Sequence, residues 1–147
     1  MPGTSPRSRP KPKVYLIGQG LPKGEQAYPV SWLIRELPLL VDLVSSPRDC
    51  DLLVAISPIE TGDLATTVIM IEEHLGYGGR VLVIQPIAEA GSSCFLVQLA
   101  RSYPDQGDVE RFINWPDAMQ TIYRRAHAIA QASTEELPLL TLRRCRV

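Results

Sequence analysis

The chain has three cysteines, Cys50, Cys94 and Cys145, odd in number and far apart, with no C-x-x-C pair. That excludes a disulfide framework and a zinc knuckle, and no metal is expected. No apolar run approaches the length of a membrane span, and the first residues are rich in Pro, Ser and Arg with no apolar core of a signal peptide. Neither membrane insertion nor secretion is expected, and the expected location is cytoplasmic. Strong net charge is also lacking: the total is −1. It hides a division, because Arg7, Arg9, Lys11 and Lys13 stand at one end and Arg143, Arg144 and Arg146 at the other. The body between is acidic and the ends are basic. Such ends can hold nucleic acid through phosphates, but they are read as solvated ends and no nucleic-acid partner is assigned to them.

What is present is enough apolar residue, 45% of 147, for one globular domain with a real core. Residues 1–12 carry four prolines and are expected to be a disordered basic tail, 13–132 a single α/β domain, and 133–147 a C-terminal tail. The clearest unit runs from Asp51 to Ile84. Leu52-Leu53-Val54-Ala55-Ile56 is too short for an ordinary helix and too uniformly apolar for a strand with one wet face, so it reads as a strand buried on both sides. Leu64 to Leu75 follows with helical spacing, Gly76-Tyr77-Gly78-Gly79 stops it, and Val81-Leu82-Val83-Ile84 is a second buried run.

The rest continues the alternation. Strands are predicted at about 13–17, 39–44, 51–56, 81–85 and 109–113, with helices over Val30–Leu37, from Ser92 or Ser93 to Ser102, and from Asn114 onward. In the last helix Asn114 can cap, Pro116 sits in the first turn, and Ala118, Ile122, Ala126 and Ile129 form an apolar stripe. Five strands alternating with helices imply a three-layer α/β sandwich with a parallel sheet in the flavodoxin- or Rossmann-like order 2-1-3-4-5.

In that order the crevice falls between strands one and three, flanked by the loops after Ile17 and Ile56. The candidate ligand-binding residues are Gly18, Gln19 and Gly20 on one loop and Ser57, Thr61, Gly62 and Asp63 on the other. Asp63 disfavours a naked triphosphate there, so a ribose or neutral base is easier to seat. Candidate catalytic carboxylates are Glu60, Asp63 and Glu72. His74, near a helix end, reads as a cation suited to the helix carboxyl terminus, and His127 as an exposed residue. Cys94 reads as an inert core thiol. Gly18-Gln19-Gly20-Leu21-Pro22-Lys23-Gly24 places its third Gly one residue late for a dinucleotide fingerprint, and Lys23 precedes Gly24, so there is no Walker A. No cofactor is expected.

Lys13-Val14-Tyr15-Leu16-Ile17-Gly18, Cys50-Asp51-Leu52-Leu53-Val54-Ala55-Ile56-Ser57-Pro58 and the Thr61-Gly62 before a helix resemble the nucleoside 2-deoxyribosyltransferase-like family. The resemblance covers about half the chain and implies a nucleoside-type pocket. It departs at the nucleophile: Thr66 or Met70 stands about where the family has its Glu, and Glu72 and Glu73 come later on the helix. Response-regulator receivers share the proposed topology, yet their phosphorylation machinery would fall on Gly18-Gln19, Ser57, Gln85 and Asn114, so aspartyl phosphorylation is not expected. The sequence thus supports a nucleoside- or nucleotide-type small-ligand domain, with N-glycosidic transfer or hydrolysis as a further expectation. The alternative is a non-catalytic receiver-like module that binds a protein or nucleic-acid partner. A homo-oligomer is left open.

Overall fold

A computed structural model describes residues 11–17, 30–57, 61–87 and 95–146, with side chains for 11–17, 32–57, 64–87 and 95–132. Its strands are β1 (Lys13–Ile17), β2 (Asp42–Leu43), β3 (Leu52–Ile56), β4 (Val81–Pro86) and β5 (Gly107–Phe112). All pair in parallel in the order β2-β1-β3-β4-β5, as the sequence predicts. The helices are α1 (Val30–Glu36), α2 (Thr61–Gly76), α3 (Phe95–Arg101) and α4 (Trp115–Arg146). Among the described residues no helix is long and apolar enough to cross a membrane.

Side-chain alternation along the strands builds two cores. Leu52, Val54 and Ile56 of β3, with Leu82 and Ile84 of β4, face Leu33 of α1 and the Ala118–Ile122–Ala126 stripe of α4. Leu53 and Ala55, with Val81 and Val83, face Ile71 and Leu75 of α2 and Leu96, Leu99 and Ala100 of α3. β3 and β4 are therefore buried on both faces, which is why they show no polar alternation.

The edge elements depart from expectation. The second strand, expected over 39–44, pairs only through Asp42 and Leu43. Leu37–Leu39 winds on from α1 as a 3-10 turn, in which the Leu40 and Val41 N–H groups both donate to the Leu37 carbonyl, so the chain is late in reaching β1. β5 begins at Gly107 rather than 109, because a tight turn, with the Gln106 and Gly107 N–H groups donating to Tyr103 O, releases the chain sooner. Lys11 and Pro12, read with the tail, are placed: Pro12 is buried, its carbonyl accepts the Asp42 N–H at 2.9 Å, and Lys11 Nζ donates to Pro38 O. Residues 1–10 lie outside the described residues.

The start of α4 follows its sequence signal. The Asp117 N–H donates to Asn114 Oδ1 and Asp117 Oδ2 accepts the Ile113 N–H, both at 2.9 Å, a reciprocal cap on two helix-start donors. Trp115 is buried against Phe112, with ring centroids 4.8 Å apart. Among the described residues its Nε1 has no hydrogen-bond partner. The helix runs on past residue 132 to Arg146.

Candidate functional site

The strand order sets the geometry. From β1 the chain crosses to β2 on one side, and from β3 to β4 on the other, so the carboxyl ends of β1 and β3 mark the switch point of the sheet. Ser57 stands at the end of β3, 2% exposed, with its N–H donating to Ile84 O at 2.8 Å. Thr61, Gly62 and Asp63 form the first turn of α2, which directs helix N-terminal amides toward the same edge. Gly18, Gln19, Gly20 and Glu60 lie outside the described residues, as does Cys94.

Glu72, a candidate from sequence, and Asp51, which precedes β3, stand elsewhere. Glu72 is exposed on α2, eleven residues after Thr61, roughly 16 Å down the helix axis. Asp51 precedes β3, six residues from Ser57, roughly 20 Å away along an extended chain. Its Oδ2 accepts the Lys13 N–H at 2.8 Å, which ties the start of β1 to the start of β3.

The opposite, amino edge carries an arrangement that sequence reasoning missed. A cavity of about 350 Å³ is lined by Arg48, Cys50, His74, Tyr77, Gly78 and Gly79. Cys50 follows the 3-10 turn Pro47–Asp49, and its Sγ donates to Pro47 O at 3.0 Å. His74 lies in the last turn of α2, with Nε2 3.9 Å from Cys50 Sγ. Arg48 Nη2 donates to the Tyr77 hydroxyl at 3.1 Å, and the guanidinium lies 5.2 Å from the Tyr77 ring centroid. Gly79 is what lets the imidazole fold inward: a Cβ there would meet His74 Cε1 at 2.6 Å. A β-α-β unit returns its helix end to the edge where its first strand begins, so the placement of His74 near Cys50 was implicit in the pattern; the burial was not.

That burial overturns the reading of His74 as a helix-end cation. Desolvation lowers its pKa from 6.5, opposed by a hydrogen bond to the Arg80 backbone, so the ring is neutral at pH 7. Burial pushes the Cys50 thiol up from 9.0 to about 11; a hydrogen bond to the Tyr15 backbone opposes this, and the charges of Asp51 and Asp49 add to it. His127 is half-buried rather than exposed and stacks on Tyr123 at 5.4 Å.

Both shifts carry a pH dependence of stability. The unfolded chain binds a proton at the ordinary histidine value and the folded chain only lower, so the contribution of His74 is present above 6.5 and is lost as pH falls below it. The folded thiol holds its proton where the unfolded one has lost it, so the contribution of Cys50 is present below 9.0 and is lost as pH rises toward about 11. In thermal melts compared with wild type, His74→Gln should flatten the acid-side fall and Cys50→Ala the alkaline one. Wild-type slopes retained in both variants would place the titrating groups elsewhere.

No protein-family model matches the chain, and neither a curated protein nor a solved structure matches it.

Proposed function

We propose that this is a small-ligand-binding α/β domain of nucleoside or nucleotide type, with its site in the crevice between β1 and β3. The observation that supports it is the strand order β2-β1-β3-β4-β5, which opens a switch point beside the first turn of α2. A nucleoside-type occupant is what the resemblance to the nucleoside 2-deoxyribosyltransferase-like family implies. N-glycosidic transfer or hydrolysis would require Glu60 or Asp63 as its carboxylate. Ligand-observed NMR against a nucleoside and nucleotide panel tests the reading. At least one member should bind saturably, and Gly62→Val should weaken it about tenfold, some 1.4 kcal/mol, with little change in melting temperature. A panel with no saturable binder would overturn the proposal.

One observation favours the second reading, a receiver-like interaction module. Ile87 after β4, Phe95 at the start of α3 and Ile113 after β5 are each at least half exposed near the carboxyl ends of neighbouring strands. Such side chains suit an apolar protein contact.

A further inference from the structure

Ligand binding at the carboxyl edge leaves the amino-edge cavity without a role. That cavity places a thiol, a second titratable side chain and a guanidinium on one opening. We propose that Cys50 is a site of reversible S-thiolation by a low-molecular-weight disulfide bearing carboxylates, with His74 as the base and Arg48 as the carboxylate contact.

The geometry supports each role. Cys50 Sγ and His74 Nε2 are 3.9 Å apart, a separation that a bound reactant can tighten. Rotation about the Cβ–Sγ bond turns the thiol proton from Pro47 O toward Nε2. Among the described residues Arg48 makes no ion pair; Tyr77 holds its guanidinium at the cavity wall, where a carboxylate can take the remaining donors. Acyl transfer is less well served. The Gly78 and Gly79 N–H groups are engaged by Leu75 O and His74 O, which leaves neither for an oxyanion. Attack of sulfur on sulfur develops no such oxyanion.

The step balances without a further reagent. His74 Nε2 takes the thiol proton and the Cys50 sulfur attacks one sulfur of the disulfide. The new S–S bond forms as the old one breaks, and the departing thiolate takes the proton from His74 and leaves as a thiol. Cys50 is oxidised and the departing sulfur reduced; an external thiol reverses the exchange. Because the thiol is protonated at neutral pH and His74 is neutral, the pair acts through general-base transfer and not as a preformed ion pair. The groups facing it are Arg48 and Asp49 from the 3-10 turn, the Tyr15 backbone from β1, Asp51 from the start of β3, Tyr77 after α2 and the Arg80 backbone.

The test treats the full chain with oxidised glutathione and, separately, with the neutral bis(2-hydroxyethyl) disulfide, and reads intact mass and peptide maps over time. A mixed disulfide should form at Cys50, at a rate that levels off above the acid limb set by His74. An unassisted thiol would instead climb about tenfold per pH unit toward its pKa. His74→Gln should slow the reaction at pH 7 about tenfold or more and restore the climb. Arg48→Gln should slow reaction with oxidised glutathione alone. The proposal is overturned if Cys94 or Cys145 reacts while Cys50 does not, if the wild-type rate climbs without a plateau, or if Arg48→Gln affects both disulfides equally. If His74→Gln fails to fold, the wild-type pH profile decides the role of the base.

Discussion

Gly107→Val should cost the fold about 3 kcal/mol, near the upper end for overpacking. Gly107 opens β5 where the chain passes directly over the end of α3. A Cβ there would lie 2.9 Å from the carbonyl carbon and Cα of Ala100, and nearer still to the carbonyl oxygen. The obstacle is backbone rather than a side chain that could swing away, so relief requires α3 and β5 to separate. Part of the Val81–Gly107 pairing would go with it. Even alanine should be poorly tolerated. Urea unfolding of the two variants measures this, and a loss under about 1 kcal/mol for valine would show that α3 can shift.

Leu82→Ala should cost a comparable amount, about 3 kcal/mol within a usual span of 2–5 for such truncations. Leu82 is fully buried on β4, between β3 and β5, in the core shared with Leu33 and Ile122. The neighbours that would have to collapse into the space belong to paired strands and to a helix packed along them, so most of the cavity would persist. Ile69→Ala is the control. Ile69 lies on the outer face of α2, 57% exposed, and its truncation should stay within about half a kcal/mol. Equal losses at the two positions would mean that the core is not where β4 places it.

The topology was legible because its evidence is local. β3 and β4 are short runs without a polar face, and the helix between them shows its spacing and its stop, so the crossover follows from pattern, and the strand order from the fold class that a short alternating chain favours. The start of α4 was legible for the same reason, since Asn114, Pro116 and Asp117 act on their own turn. The extent of β2 was not. It depends on whether Leu37–Leu39 keeps winding after Pro38, which apolar content does not distinguish from an extended run. The switch point was legible from the strand order, whereas the role given to Glu72 required a distance along a helix that carries it away from that edge. The partnership of Cys50 and His74 was the least legible. His74 turns inward only because Gly79 offers no side chain to stop it, and the pair is 24 residues apart in sequence.

The sheet also bears on how copies of this chain can associate. Its two outermost strands are β2 and β5, the places where a foreign strand could add by backbone pairing. β2 offers only two residues, too short a template to hold register against a neighbour. β5 is longer but carries Asp108, Glu110 and Arg111, and Arg125 of α4 reaches across to bond Asp108 and Glu110, laying a charged helix side chain alongside the strand. An incoming strand would have to pair beside those charges. A two-residue strand at one margin and a charged strand at the other disfavour growth of the sheet from one molecule into the next.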